Sequence, residues 1–360
     1  MEDRTDAQAE MFANRLQKRF RHLKKWAQRT GTGAFRLYDR DIPEIPLVLD
    51  FYGDCLKIKD AALSGALYKR PYEKDQNDEA VWLCAMKESA AAALGIKIEN
   101  IFLKQRQKQK GLSQYEKTGY SNFTQIVNEG GLSFKVNLSD YLDTGLFIDR
   151  RLLRAIIRSE SAGKKVLNLF SYTGAFSIYA AAGGAVSVDS VDLSNTYLNW
   201  AKENFLLNGF SVDFYGKNIN AEPYGVSKKK KESAALRLIR ADALDFIDKS
   251  VNNKLCWDII VVDPPAFSNS KKMSDDFDLN RDLTDLLVKC LTVLASDGKI
   301  YVSVNIKRSV PSAQELQDSI REKFNKTDLQ VIDLENKLMD EDFKNRKIPK
   351  AFLIKRQIVL

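Results

Sequence analysis

Histidine is almost absent from this sequence. The 360 residues contain one, His22, which lies among lysines and arginines with no serine, cysteine or second histidine placed to act with it. The sequence therefore disfavours a nucleophile–histidine–carboxylate triad and a zinc site built on several histidines. We expect His22 to be a solvated helix residue, and we predict no metal site.

Cysteines and long apolar runs are also scarce. The four cysteines show neither metal-ligand nor disulfide-framework spacing, which favours a reducing compartment. No apolar run approaches the roughly 20 residues that span a bilayer. The opening residues, "MEDRTDAQAE", are polar and acidic and do not resemble a signal peptide. We therefore expect a cytoplasmic protein without a membrane partner.

Basic residues are in excess, with a net charge of +8 and a pI near 9.0, which favours a polyanionic partner. Residues 11–30 hold seven Lys or Arg and no acid, and their apolar residues recur every three or four positions. This pattern predicts a basic amphipathic helix within residues 1–30. Its basic face is either simply solvated or laid against phosphates, and we favour phosphate contacts by Arg15, Lys18 and Arg19.

Residues 31–140 show short strands around one helix at 81–94, a pattern typical of a small antiparallel α+β domain. The segment "LKQRQKQKGLSQY" places alternating basic residues on one face of an extended chain and ends in an aromatic ring. It indicates either an RNA-binding groove or a charged edge strand that resists aggregation. In the first case the contacts are Lys104, Arg106, Lys108, Lys110 and Tyr115.

Residues 141–360 alternate strands with helices, which predicts a parallel sheet covered on both faces. A lysine-rich segment at 221–236, "AEPYGVSKKKKESAAL", interrupts this pattern, and we expect a solvated loop there. Folds of this class bind ligands at the carboxyl ends of their strands. We therefore expect a ligand site at the strand ends of this region.

Each of the first four strands of this region ends in a candidate ligand group. The first runs into "NLFSYTGAFS", where Gly174 opens a helix, but the turn lacks the G-x-G-x-x-G spacing of NAD-binding folds. The next three end at Asp192, Asp242 and Asp263. Any one of them could be a helix cap, and Ser194 could cap the helix after Asp192 equally well. As a series they predict a site for an adenosine attached to a small group.

The stretch "VVDPPAFSNSKK" ends the fourth strand on Asp263. Pro264 and Pro265 cannot continue a sheet ladder, so they form a rigid ledge that carries a carboxylate and an aromatic. Such a ledge suits holding a flat polar ring, although it would also suit a tight exit from a sheet.

Several of these motifs, with others along the chain, resemble one enzyme family. "FANRLQKR", "RLYDRDIPE", "LSDYLDTGLFIDRR", "NLFSYTGAFS" and "DPPAFSNSKKMSDDFDLNRD" are similar to the K half of the bacterial large-subunit ribosomal RNA methyltransferases K/L. The resemblance runs from about residue 11 to the C-terminus. It implies an α/β fold with a Rossmann-like class I methyltransferase sheet and a small N-terminal antiparallel α+β domain.

The family resemblance also implies an activity. Its cofactor is S-adenosylmethionine (SAM), its product S-adenosylhomocysteine, and its substrate N7 of a guanine in 23S ribosomal RNA or a pre-ribosomal particle. Asp263, Pro264 and Phe267 would face the target base. The residues implied to bind the cofactor are Phe147, Asp149, Arg150, Phe170, Ser171, Tyr172, Thr173, Gly174, Asp192, Leu193, Asp242, Ala243 and Asp263.

The sequence departs from the fused family members at two points. These carry an L half with an RNA-binding THUMP domain, for which this chain has no room, so a separate L-type methyltransferase is an open partner. The segment at 221–236 looks like an insertion. Two alternatives also stay open: methylation of another RNA position such as the exocyclic N2 of guanine, and a non-catalytic RNA-binding ribosome-assembly factor. A dinucleotide oxidoreductase is a distant third.

Overall fold

The computed structural model describes residues 2–67, 76–105, 122–141, 143–215, 235–268, 277–304, 310–324 and 328–356. The chain forms two compact units. Unit 1 comprises Met1–Ile148 and the short segment Asp340–Lys344, and unit 2 comprises Asp149–Met339 and Asn345–Leu360. Along the described ranges, no helix is both long enough and apolar enough to cross a membrane.

Unit 1 is a mixed α+β unit. Its elements are α1 Glu2–Thr30, β1 Ala34–Asp39, β2 Leu47–Tyr52, β3 Ala62–Leu67, α2 Gln76–Leu94, β4 Ile101–Gln105, β5 Thr124–Glu129 and β6 Leu132–Asn137. The order β1-β2-β3-β4 forms one sheet, and β5-β6 is a separate hairpin. The expected antiparallel pairing holds for β1-β2 and β2-β3, but β4 runs parallel to β3. The chain passes through α2 between those two strands, and such a helical crossover permits parallel pairing.

Helix α1 begins at Glu2, well before the basic segment that predicted it. Its apolar face, including Phe12, Leu16 and Leu23, is buried in the core of unit 1. The earlier turns are held by α2, since Trp82 Nε1 donates to Gln8 Oε1 over 2.6 Å. As predicted, His22 is an exposed helix residue.

Unit 2 alternates strands and helices over most of its length. Its elements are α3 Arg151–Glu160, β7 Lys165–Leu169, α4 Ala175–Ala182, β8 Ser187–Asp192, α5 Asn195–Leu207, β9 Asp213–Tyr215, β10 Ala235–Arg240, α6 Ala243–Asn252, β11 Trp257–Val262, β12 Phe267–Ser268, β13 Phe277–Asp278, α7 Leu279–Thr292, β14 Leu294–Val304, α8 Ala313–Phe324, β15 Leu329–Asp333 and β16 Lys350–Arg356. Short apolar strands such as "WDIIVV" are buried along nearly their whole length, as parallel strands covered on both faces must be.

The main sheet has the order β15-β16-β14-β11-β7-β8-β10-β9. The pairs from β9 to β14 are parallel, and β16 is antiparallel to both of its neighbours. This confirms the predicted α/β class with a Rossmann-like sheet. From β7 the chain builds outward through β8 and β10, and later outward on the other side through β11 and β14. The strand order therefore reverses between β7 and β11, where open α/β sheets bind their ligands.

Candidate cofactor and substrate site

The carboxyl ends of four neighbouring strands bring the predicted ligand groups to one edge of unit 2. Strands β10, β8, β7 and β11 are adjacent in this order. Asp242 follows β10 by two residues, Asp192 is the last residue of β8, the turn 170–174 follows β7, and Asp263 follows β11. The prediction that these groups follow successive parallel strands is thus reproduced by the sheet order.

The turn after β7 has an unusual backbone. Phe170, Tyr172 and Gly174 have φ values of 56°, 51° and 78°, and positive φ is uncommon for residues with a side chain. Hydrogen bonds fix the turn, since Ser171 N donates to Val191 O over 2.9 Å and Gly174 N to Ser171 O over 2.8 Å. Strain kept in place by such contacts is characteristic of ligand-binding turns.

Gly174 is required at the entry to α4 for two reasons. Its positive φ disfavours a side chain, and a Cβ there would lie 3.0 Å from Ala201 Cβ on α5. A buried side-chain amide on α5 also supports the turn, because Asn204 Nδ2 donates to Thr173 O over 3.0 Å. Sequence reasoning did not single out Asn204. A lone amide among the apolar positions of α5 was the available signal.

Asp192 is held by backbone amides at the end of β8. Its Oδ2 accepts from Tyr172 N over 2.9 Å, and its Oδ1 accepts from Ser194 N over 2.8 Å. Burial raises the pKa of Asp192 to about 6, although these amide hydrogen bonds oppose the rise. Ser194 caps α5 by accepting from Tyr197 N, so Asp192 is not needed as the cap. A carboxylate has about four acceptor positions, so Asp192 keeps acceptor capacity for a ligand hydroxyl.

Aromatic rings adjoin the turn and the carboxylate. Tyr172 packs edge-on against Tyr197 at a centroid distance of 4.5 Å and also contacts Trp200 at 6.4 Å. Sequence reasoning missed the two α5 rings, which lie one helical turn apart. Phe170 packs against Phe277 at 5.5 Å. Leu193 is half-buried beside Asp192.

The Ser171 side chain shows that the carboxyl end of this sheet suits a polar ligand. Its hydroxyl is buried, and within the described ranges it has no hydrogen-bond partner. A buried hydroxyl without a partner is costly unless a ligand or water satisfies it. The strained turn, the amide-held carboxylate and this hydroxyl therefore fit a polar molecule with an adenosine-like ribose.

Asp242 behaves first as a helix cap. Its Oδ1 accepts from Leu244 N over 2.9 Å and from Asp245 N over 3.2 Å, at the start of α6. Burial raises the pKa of Asp242. The capping role left open by the sequence is thus present, and contact with an adenine amino group stays a prediction. Ala243 follows as a buried residue of α6.

A buried ion-pair cluster joins the segment before α3 to the end of β11. Arg150 is 5% exposed, its Nη1 lies 2.8 Å from Asp149 Oδ1, and its Nη2 donates to Asp263 Oδ1 over 3.2 Å. The side chains of Asp149 and Asp263 are 23% and 12% exposed. The guanidinium is therefore turned toward these two carboxylates. The family resemblance implied that Arg150 binds the cofactor, which stays a prediction, but gave no sign that it would bridge Asp149 and Asp263.

The proline pair leaves the sheet as expected. Asp263 follows the last residue of β11, Pro264 is buried and Pro265 is half-buried. The backbone of Phe267 then pairs with Asp278 in the two-residue strands β12 and β13. The role of Phe267 toward a base stays a prediction, and residues 269–276 lie outside the described ranges.

The remaining predicted contacts are placed only in part. Arg106, Lys108, Lys110, Tyr115 and residues 221–234 of the expected insertion lie outside the described residues. The last two residues of that insertion begin β10. Lys104 is half-buried and donates to Tyr141 O, and burial lowers the pKa of Lys104 to about 8. Phe147 is half-buried in unit 1, and its contact with the cofactor stays a prediction.

Of the predicted contacts on α1, only Lys18 is exposed, whereas Arg15 and Arg19 are half-buried. Unit 2 places no cysteine near the strand ends, because Cys256 precedes β11 at its opposite end and Cys290 is buried in α7. The described part of the chain contains no cluster of three or more His, Cys, Asp or Glu that could hold a metal ion.

Comparison with known proteins gives a consistent picture. Residues 58–250 match the family model for S-adenosylmethionine-dependent methyltransferases. The chain is 41% identical to ribosomal RNA large subunit methyltransferase K of Neisseria meningitidis, over 96% of this chain and 87% of that protein. It is 38% identical to the K/L protein of Colwellia psychrerythraea over 96% of this chain, but spans only 43% of that longer protein.

Solved structures agree at the level of the fold. A methyltransferase crystallised with S-adenosylhomocysteine superposes with a TM-score of 0.68 at 24% identity, covering 96% of this chain and 81% of its own. A SAM-dependent methyltransferase from Streptococcus mutans superposes with a TM-score of 0.67 at 23% identity and the same coverage.

Proposed function

Because this chain belongs to the ribosomal RNA large subunit methyltransferase K family of SAM-dependent methyltransferases, we propose that it methylates N7 of a guanine in 23S ribosomal RNA. The observation that carries this proposal is the placement of Asp192 and Asp263 at the carboxyl ends of β8 and β11, the two strands that flank β7. The first carboxylate suits a ribose and the second a base. Ribosomal RNA as substrate supports a cytoplasmic location, and the free RNA and a pre-ribosomal particle are both candidate substrates.

The residues at the edge fit SAM, which when bound supplies an electrophilic methyl group on a sulfonium. The Asp192 carboxylate would accept the two ribose hydroxyls while its backbone donors hold it in place. The turn 170–174 would lie against the methionine part, and the buried Ser171 hydroxyl would find its partner there. The Tyr172 ring would adjoin the same region. Asp242 and Ala243 would border the adenine.

Loss of Asp192 should weaken SAM binding directly. Asp192→Ala removes the ribose acceptor and leaves the amides of Tyr172 and Ser194 without their partner, a loss of about 1–3 kcal/mol. Calorimetry should show SAM affinity reduced by about tenfold or more. The control Asp213→Ala removes an exposed carboxylate at the start of β9 and should bind SAM normally. Equal affinity in the two variants would remove Asp192 from the site.

SAM affinity should also depend on pH. Since the pKa of Asp192 lies at about 6, protonation below this value removes the charge that accepts the ribose hydroxyls. Affinity should be constant above pH 7 and fall through pH 6, by up to about tenfold per pH unit. The pKa of Asp192 is higher in the folded chain than in the unfolded chain. Protonation of Asp192 as the pH falls through 6 therefore raises the free energy of unfolding, so weaker SAM binding in this range does not come from destabilisation by this group.

Calorimetry from pH 5 to 8, with thermal melts at each pH, separates loss of binding from unfolding. Asp192→Asn cannot titrate, so its weaker affinity should vary much less across this range. A pH profile of the same shape in Asp192→Asn would assign the titration to another group.

Guanine N7 needs little chemical assistance. Its lone pair lies in the ring plane and carries no proton, so no general base is required and the scarcity of histidine is harmless. Asp263 would accept from guanine N1–H or the amino group and hold N7 toward the methyl group, so that catalysis comes from positioning. Methylation of a pyrimidine carbon would instead need a thiolate, and unit 2 places neither of its cysteines at this edge.

Methyl transfer by the full chain to unmodified 23S transcript tests the proposal. Digestion and mass-spectrometric fragmentation of the product nucleosides should give N7-methylguanosine. A product of N2-methylguanosine would replace the proposed position, and SAM binding without transfer to any RNA would favour the non-catalytic assembly factor. Assays with and without an L-type methyltransferase would show whether such a partner is needed.

A further inference from the structure

We propose that one exposed stripe of α1 holds the phosphate backbone of the substrate RNA. The basic stripe consists of Lys18, Arg21, Lys25 and Arg29, all of them exposed. This inference rests on the proposed function, because it takes RNA to be the substrate. It identifies the surface by which unit 1 would contact that substrate.

The helix geometry aligns these four side chains. Successive residues rotate by about 100°, so spacings of three, four and four residues place all four within roughly 80° of arc. The stripe extends about 16 Å along the helix axis at 1.5 Å per residue. The opposite face of α1 is fixed in the core of unit 1 by Phe12, Leu16, Leu23, Trp26 and Ala27. The stripe is therefore held on a rigid element rather than on a loop.

Three other basic groups of this helix segment, Arg15, Arg19 and His22, are already engaged. Arg15 Nε donates to Asp41 over 2.6 Å, and Arg19 donates to the backbone carbonyls of Leu37 and Asp342. His22 Nε2 lies 2.7 Å from Glu341 Oε1. Within the described ranges, no acidic side chain forms an ion pair with the stripe. We therefore assign the phosphate contacts of α1 to the stripe and no longer to Arg15 and Arg19.

Helix stability alone does not explain this arrangement. Arg21 with Lys25, and Lys25 with Arg29, are like charges four residues apart, and such pairs destabilise a helix. Favourable interaction with the helix dipole is confined to the last turn, so it accounts for Arg29 but not for Lys18 or Arg21. A row of like charges that costs helix stability is expected where it is compensated by binding to a polyanion.

RNA is a better partner for the stripe than a lipid membrane. A membrane-bound amphipathic helix inserts its apolar face among the lipids, whereas the apolar face of α1 is buried in the protein. Contacts limited to phosphates would supply affinity and orientation but no sequence specificity. The choice of guanine would then rest with the strand ends of unit 2.

The test compares two variants of the full chain that each lose four charges. The stripe variant carries Lys18→Gln, Arg21→Gln, Lys25→Gln and Arg29→Gln. The control carries Lys59→Gln, Lys97→Gln, Lys202→Gln and Lys254→Gln, four lysines that are exposed elsewhere. Binding to a 23S transcript is measured from about 50 to 200 mM salt, with SAM calorimetry and thermal melts as checks of folding.

The stripe variant should bind RNA at least about tenfold more weakly and lower the slope of log K against log salt by about 3, as expected for four lost phosphate contacts. Its SAM affinity should match that of the wild type, and its melting temperature should be no lower, since like-charge pairs have been removed from the helix. Its RNA KM should rise while kcat is retained. The control should keep most of the wild-type slope. Equal losses in both variants would overturn the proposal in favour of a net-charge effect.

Two further outcomes separate this proposal from the proposed function. If the wild-type protein binds RNA through the stripe but transfers no methyl group, the methylation proposal fails and the stripe stands. If the stripe variant keeps RNA binding but loses binding to vesicles of anionic phospholipid, the stripe is a lipid surface and the RNA proposal fails.

Discussion

Asp263→Asn should lower the kcat of methyl transfer by about 100-fold or more while leaving RNA affinity nearly unchanged. The substitution keeps the shape of the side chain but removes the charge that would fix the guanine edge. A small misplacement of reacting groups costs on the order of 100-fold in rate. Because no phosphate contact is lost, KM for RNA should change little. Single-turnover kinetics with saturating SAM measure the chemical step directly.

Asp258→Asn is the matched control for this experiment. Asp258 lies on the same strand β11, where its Oδ2 accepts from Lys165 N over 2.8 Å near the amino end of the sheet. This variant should transfer methyl groups at nearly the wild-type rate. An Asp263→Asn enzyme with full turnover would show that the base is positioned by other groups.

Arg150→Met should be severely destabilising as well as inactivating. Methionine fills a similar volume but leaves the partly buried carboxylates of Asp149 and Asp263 close together without a countercharge. Removing one partner of a buried ion pair typically costs about 3–5 kcal/mol. We expect a large drop in the melting temperature, and a fall in kcat because Asp263 is no longer held.

Two companion variants separate positioning from folding. Arg150→Lys keeps the charge but lacks the fork that reaches two carboxylates, so it should recover stability more than turnover. Combining Arg150→Met with Asp263→Asn removes one uncompensated charge, so the pair should be less destabilised than the sum of the single variants. Strict additivity would show that Arg150 and Asp263 act independently.

The strand-end site was predictable because its main residues occur where apolar runs end. In a parallel sheet such positions meet at one edge, so Asp192, Asp242 and Asp263 could be placed without coordinates. The glycine turn was visible for a similar reason, since a helix opening on Gly174 suggests close backbone approach. The capping role of Asp242 was one of the alternatives that local sequence already allowed.

Contacts between distant segments could not be read in the same way. Arg150 lies 113 residues from Asp263, and nothing local indicates that its guanidinium turns toward that carboxylate. Asn204 reaches Thr173 across 31 residues. The support of the site is therefore a property of the folded sheet and its helices.

Several strands were missed, and two of them show why. Strand β3, "ALSGAL", contains no β-branched or aromatic residue and includes a glycine, so its composition argues against a strand. A Cβ at Gly65 would lie 2.3 Å from Val48 O, which shows that the glycine serves close strand packing. Strand β15, "LQVID", is only five residues long and pairs solely with β16 at the sheet edge.

The most direct test of the account is to map methylated guanines in 23S ribosomal RNA from cells lacking this protein. Mass-spectrometric mapping should show the loss of one N7-methylguanosine, restored by the wild-type gene and not by Asp263→Asn. An unchanged set of N7-methylguanosines, or the loss of a different modified nucleoside, would contradict the proposed reaction.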